Sequence, residues 1–422
     1  MPDYKRKKVK KGIIPKTRRS KVSREIVIKN TDRKKRNVLP EDEIKVVRGA
    51  KLKRKRRMKT LATFVLVFLL SCGFLSTILP GGLFENLVNA VALIGHGEYP
   101  GEIVGTNIIN TESVGSYYYV LSDTHISAYS NSGKEIFTEM HGFANPIMSV
   151  SNTRVLVFDQ GGKNVYIYNL SGLVKTLQAK NEIINANISS SGKFAVATHS
   201  DSFASTVYVY NKDCELIYTW NSAKDTVNNV LLNQKGDKIA VSTLNAVSGQ
   251  YDANVLILGF DSADAQYTHK LESNVALTLA NSGKGFAIIT QNKYEFIHWS
   301  KHTVNSVSVS GEINLYRKHK NGILLVSNRA NDRSDNTVIC ISKKGEKTSE
   351  FKINASITDI QYSKGRVYYI TDTKINILDK SGNLLRFGNC NYGVLKFSVI
   401  NAHSVAVITD KQIFKIEINK GA

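Results

Sequence analysis

Apolar and β-branched residues recur along this chain in short runs separated by turns rich in Gly, Asn, Asp and Ser. One such run follows a turn at Ser116-Tyr-Tyr-Tyr-Val, Arg154-Val-Leu-Val-Phe, Lys193-Phe-Ala-Val-Ala and Lys238-Ile-Ala-Val-Ser. It returns at Gly285-Phe-Ala-Ile-Ile, Gly322-Ile-Leu-Leu-Val, Arg366-Val-Tyr-Tyr-Ile and Ser404-Val-Ala-Val-Ile. These eight starts lie 38, 39, 45, 47, 37, 44 and 38 residues apart. Each is followed by a second alternating run, such as Val165-Tyr-Ile-Tyr or Ile375-Asn-Ile-Leu. A polar turn such as Lys380-Ser-Gly-Asn and a third run such as Leu384-Leu-Arg-Phe then follow. With a short strand before each first run, four antiparallel strands fill every unit of about 40 residues. Four-stranded units at this period predict an all-β chain folded as a β-propeller. A single blade cannot bury both its faces, so blades stack radially and closure of the ring hides the outer edges. Eight copies argue for eight blades, with seven and one degenerate copy as the alternative. The run Glu102-Ile-Val-Gly-Thr-Asn-Ile-Ile109 has two readings. It is the missing outer strand of the last blade, latching the ring, or the inner strand of the first.

A second pattern precedes the repeat. Thr60 to Phe84 is a 25-residue stretch without charge, apolar from Leu61 to Leu79. About 20 such residues, at 1.5 Å each, match the roughly 30 Å hydrocarbon core of a bilayer and predict a transmembrane helix over 60–80. Pro80-Gly-Gly82 ends it. Residues 81–101 then read as a short amphipathic interfacial piece, Leu83 to Ile94, and a linker, before a propeller over 102–422.

Charge sharpens this division. The formal net charge is +22, but residues 1–59 hold 25 Lys and Arg against six acids, a net +19. Only +3 belongs to the rest. The basic, largely disordered tail of 1–59 is therefore a cytoplasmic, positive-inside flank that meets anionic lipid, and nucleic acid is not a partner. The propeller is expected outside, on a single-pass, N-in anchor in the cell membrane. A removable signal is a poor reading, because 59 residues far exceed an n-region. Leu69-Leu-Ser-Cys72 resembles a lipoprotein box, yet the chain stays apolar after it. Cys214, Cys340 and Cys390 remain for the exterior, an odd number without metal spacing, and leave any disulfide open.

The stretch Val207-Tyr-Val-Tyr-Asn-Lys-Asp-Cys-Glu-Leu-Ile-Tyr-Thr-Trp220 resembles the blade pattern of quinoprotein-like propellers, down to its closing Trp. The Gly-rich Trp-docking signature is missing, so the resemblance implies architecture and not quinone binding. The whole layout of basic tail, single span and repeat domain resembles an uncharacterised family of bacterial membrane-anchored propellers, from which no activity transfers.

Catalytic signatures are absent from the sequence. There is no Gly-x-Ser-x-Gly elbow, no His-Glu-x-x-His helix, no phosphate loop and no paired Cys at zinc spacing. No catalytic residue, metal or cofactor is assigned. Attention falls on three enlarged second-to-third-strand loops, 199–206, 245–254 and 328–336, because surface loops gain length at little entropic cost. The first two present His199, Asp201, Phe203, Tyr251 and Asp252 as a polar rim with aromatic tips. The third presents Asn331, Asp332 and Asp335. These oxygens suit a hard cation, although the loop lacks calcium-site spacing and carries Arg329 and Arg333. The expected function is a membrane-tethered binding or scaffold module whose loop face takes an envelope protein or glycan. A transmembrane sensor and a propeller-type glycan hydrolase or lyase are the alternatives, the last requiring paired inward carboxylates.

Overall fold

The computed structural model describes residues 58–68, 70–71 and 83–420, apart from 248, 273, 330, 331, 391 and 392. The chain divides into two compact units, Met1–Phe68 and Leu69–Ala422. In the first, residues 58–68 are helical. Much of the expected span of 60–80, and nearly all of the basic tail, lie outside the described residues. Among those described, no helix is long and apolar enough to cross a membrane.

In the second unit the chain forms eight antiparallel sheets, one after another, so the ring has eight blades and not seven. Blades 1 to 4 span 108–140, 146–178, 183–222 and 226–271. Blades 5 to 8 span 278–308, 312–354, 359–389 and 396–417. Within blades 1 to 7 the strands from Ile108 to Asn389 pair in sequence order from the inner strand outward, and blade 8 does so for its first three strands. The runs that recur in the sequence are the second strands, and Phe194–Thr198 and Gly285–Ile289 bury every residue. Both faces of a blade are covered by its neighbours, which is why these strands are apolar throughout rather than alternating.

The core is correspondingly divided. Eight apolar clusters fill eight blade-to-blade interfaces, for example Tyr119, Leu121, Met148 and Val157 between blades 1 and 2. Trp220 closes the fourth strand of blade 3 and packs with Val207, Val230 and Val241 against blade 4, its indole N–H donating to the Ala263 carbonyl at 3.1 Å. Close approach also fixes one backbone position. Gly322 opens the second strand of blade 6 at φ +149°, and a Cβ there would collide with the Ile341 carbonyl.

Both readings of the segment near 102–109 hold, each for part of it. Gly101–Glu102 is the outer strand of blade 8, paired with Gln412–Glu417, and Ile108–Val114 is the inner strand of blade 1. The latch continues where the Ile103 N–H donates to the Lys411 carbonyl at 2.8 Å, and the Tyr129 hydroxyl donates to the Glu102 carbonyl at 2.8 Å. Ile103 itself is buried with Tyr118, Val120 and Ile413. At the other terminus, Asn419–Lys420 adds a fifth strand to blade 7. Cys214, Cys340 and Cys390 form no disulfide.

The helix Leu83–Ala92 docks on the ring. The buried Asn89 side chain donates to the Thr153 carbonyl and accepts from the Leu170 N–H, both at 3.2 Å. Glu85, in the first turn, pairs with the buried Arg154 guanidinium. Lys134 Nζ donates to the Ala92 and Ile94 carbonyls at 2.9 and 2.7 Å. Acid at the start and lysine at the end both suit the helix dipole.

Ile103→Ala tests the latch. Emptying this site should cost about 2–5 kcal/mol, as buried Ile→Ala changes do, and should lower the denaturant midpoint. An unchanged midpoint would mean that the ring holds without it.

Candidate functional site

Antiparallel strands send alternate connections to opposite ends of a blade. Second-to-third-strand loops and blade-to-blade connections make one face of the ring, the loop face. The remaining hairpin turns make the other, the turn face. Each inner strand has a sheet partner on one side only, so its other backbone edge needs polar partners. Side chains of adjacent blades supply several. The Val230 and Leu232 N–H groups donate to Asn185 Oδ1 and Asn187 Oδ1 at 3.3 and 3.0 Å. Asn281 Nδ2 donates to the Leu232 carbonyl at 2.7 Å, and the Ile188 N–H donates to Ser149 Oγ at 3.1 Å. Asp359, wholly buried, accepts from Arg317 at 2.6 Å and from the Phe397 N–H at 3.3 Å, joining blades 6, 7 and 8.

The channel inside this ring changes character along its length. The inner strand Glu312–His319 of blade 6 and the turn after it expose Asn314, Tyr316, Lys318 and Lys320, every second residue. Asn314 and Tyr316 line a cavity of about 570 Å³ at the loop-face mouth, together with Asn185, Asn228, Asn229 and Thr278. Asn228 Nδ2 and Asn229 Nδ2 donate to the Ala276 carbonyl at 2.9 and 3.0 Å. Asn228 Oδ1 is buried without a hydrogen-bond partner. Asn314 also lines a groove of about 1090 Å³ between blades 6 and 7. There an amide series runs from Asn314 through Asn328 to Asn336, beside Arg333, Glu312 and Asp372.

Lys318 and Lys320 instead line a cavity of about 770 Å³ at the turn-face mouth, with Lys284, Lys343, His319 and Glu112. Enclosure by the ring raises the Glu112 carboxyl, opposed by Arg317, and lowers Lys318, opposed by Glu112. Lys396 is likewise lowered by enclosure, and nearby Asp359 counters it. The half-buried His319 packs against Tyr362 with ring centroids 4.1 Å apart and planes tilted by 31°, and its Nδ1 accepts from the Asn321 N–H at 3.2 Å. Burial pushes this imidazole down to about 4.

The residues expected from the sequence fall in two places. On blade 3, His199 and Phe203 are exposed, while Asp201 meets Lys180 at 3.5 Å and Asn181 Nδ2 at 3.1 Å. The expected loop 245–254 is in fact mostly strand. Lys238–Val247 and Gln250–Gly259 stay paired to Val247↔Gln250, so Tyr251 and Asp252 belong to a ladder rather than to a coil. Tyr251 is 68% exposed there, and Asp252 pairs with Lys270 at 3.1 Å. Leu277, in the connection to blade 5, is also exposed and extends this sector. Asp332 and Asp335 lie by the blade 6–7 groove, and Asn331 falls outside the described residues. Asp332 Oδ1 accepts from Ser334 Oγ at 2.6 Å and from its N–H at 2.9 Å, bonds that hold its carboxyl below the usual range. Asp335 pairs with Lys352 at 3.1 Å. Among the described residues no cluster of His, Cys, Asp and Glu is arranged to hold a metal. The amide mouth and the channel charges were not expected: Asn314-Leu-Tyr-Arg-Lys-His-Lys320 is polar throughout from Arg317 on, and only its alternating exposure in the ring separates the channel-lining positions.

Because His319 titrates near 4 folded and about 6.5 unfolded, the unfolded chain binds the extra proton between those values. Stability should be full above pH 6.5 and fall as pH drops toward 4, on the order of 1 kcal/mol per unit. Melting of the wild type and His319→Gln from pH 7 to 4.5 checks this: the variant should lose part of the slope.

The model of DUF5711, a family of unknown function, matches residues 99–418, which hold all eight blades and the latch. No curated protein matches the chain. Among solved structures the chain is similar to the computationally designed Ika8 protein, at 12% identity over 75% of this chain and 100% of that one, TM-score 0.53. It is also similar to the C-terminal WD40 domain of Sif2, at 11% identity over 77% and 100%, TM-score 0.54. A eukaryotic initiation factor gives 10% identity over 74% and 87%, TM-score 0.50. Likeness at these identities concerns the fold alone. On the family match over three quarters of its length, the chain belongs to DUF5711.

Proposed function

We propose that this chain is a membrane-tethered, exported binding module that captures a protein of the cell envelope on its loop face. The observation that carries the reading is the sector of exposed apolar side chains across blades 3 to 5: Phe203, Tyr251 and Leu277. Aromatic and aliphatic anchors beside a polar centre are how protein interfaces concentrate binding energy. The uncharged stretch from Thr60 to Phe84, with its basic flank, supports the tether.

A glycan is the second reading, favoured by the amide mouth. Neutral donors and acceptors beside Tyr316, with the unpartnered Asn228 Oδ1, suit a ligand rich in hydroxyl and amide groups.

Crosslinking on intact cells, with partners identified by mass spectrometry, tests both. Phe203→Ala and Tyr251→Ala should each weaken capture of the identified protein about tenfold or more, as hot-spot truncations do. Capture that persists in the double variant, or that depends only on the basic tail, refutes the protein reading. Competition by soluble envelope glycan, lost in Asn314→Ala, would establish the second.

A further inference from the structure

The docked helix has a second face. Glu85, Val88, Asn89 and Ala92 turn toward the ring, whereas Leu87, Val91 and Ile94 are 55, 64 and 69% exposed. Leu87 and Val91 lie one turn apart on the helix, roughly opposite the docked side, and Ile94 extends this stripe in the turn just past the helix end, where its N–H donates to the Val91 carbonyl at 3.0 Å. An apolar stripe left bare by the element's own packing needs an occupant.

Three observations name it. The helix sits on the turn face, since Thr153, Leu170 and Lys134 all belong to hairpin turns of that face. Those turns carry 12 Lys and Arg against seven acids, while the loop-face connections carry six against eight. The turn-face mouth adds Lys318 to Lys284, Lys320 and Lys343 around one carboxylate, Glu112. Finally, the apolar stretch ends at Leu79, four residues before Leu83. Four residues reach at most roughly 14 Å.

We infer that the propeller lies with its turn face on an anionic bilayer surface, the stripe of Leu87, Val91 and Ile94 in the headgroup region and the lysine-rich mouth against lipid phosphates. This rests on the tether proposed above. The loop face, bearing Phe203, Tyr251 and the amide mouth, then points away from the membrane. Apolar insertion and lysine attraction are the two components of interfacial binding, and here one face of the ring supplies both.

The test uses the full-length chain in phosphatidylcholine vesicles with and without phosphatidylglycerol. Cys72→Ser and Cys214→Ser leave the buried Cys340 and Cys390. A thiol-linked fluorophore is then placed through Val91→Cys, Lys320→Cys or Tyr251→Cys, and quenched by spin-labelled lipid or by aqueous iodide. Lipid quenching should be seen at 91 in both vesicles, and at 320 only with phosphatidylglycerol. At 251 iodide alone should quench. Leu87→Ser with Ile94→Ser should abolish lipid quenching at 320 while the melting curve stays put. If 91 is as open to iodide as 251 in a chain that resists alkaline extraction, the orientation is wrong and the tether stands. If alkali extracts the chain, the tether fails and takes the orientation with it.

Discussion

The unpaired inner edge of each blade is the constraint from which the rest of this propeller follows. Eight innermost strands have no sheet neighbour toward the axis, and their N–H and C=O groups must be met by water or side chains. Apolar residues alone would leave those groups stranded, so the inner strands set Asn, Ser, Thr, Gln or charged residues among their apolar ones, as in Ile183–Ile188 (IINANI) and Thr226–Leu232 (TVNNVLL). Asn185, Asn187, Asn281 and Asp359 each reach the backbone of a neighbouring blade. The same side chains therefore stitch the ring and furnish its channel. Asp359 illustrates the conflict between the two roles: its carboxylate is committed to Arg317, Ile360 and Phe397 and serves as a brace.

Outer edges are handled differently. The last blade borrows Gly101–Glu102 from the start of the repeat, which ties first and last blades together. The helix just before this latch is held by Glu85–Arg154, with both side chains largely buried. Removing one partner of such a pair costs about 3–5 kcal/mol, because the other charge is left without compensation. A chain entering this way delivers its N-terminal approach to the turn face. The faces are then free to diverge, one gaining lysines and the other amides and exposed aromatics.

How much of this was legible in the sequence depends on how many sides of a strand are buried. Second strands such as Phe194–Thr198 are covered on both faces and read as near-continuous apolar runs, so eight of them could be counted directly. Inner strands such as Thr226–Leu232, with two adjacent asparagines and a register shift between Val227 and Asn229, have no simple period and were visible only by position. The ladder through Tyr251 read as a loop because Asn245, Ser248, Gly249 and Asp252 are turn formers. Ring neighbours cannot be inferred from spacing along the chain alone. That is why the amide mouth, assembled from blades 2 through 6, was missed while its individual polar residues were in plain view.

The division of the two faces also bears on what such a module can transmit. A sensor needs an element with two arrangements to which a ligand binds unequally. Here strands mostly of five to ten residues, with both faces of the middle strands buried, separate the loop face from the docked helix. Packed interiors of this kind resist graded deformation. The design favours fixed geometry instead. At about 3.3 Å per residue, five-residue strands alone hold the faces roughly 17 Å apart. On the proposed orientation, a partner at Phe203 and Tyr251 would sit at a set height above the bilayer. Setting that height requires no conformational change, only a closed ring and a helix that binds on both of its sides.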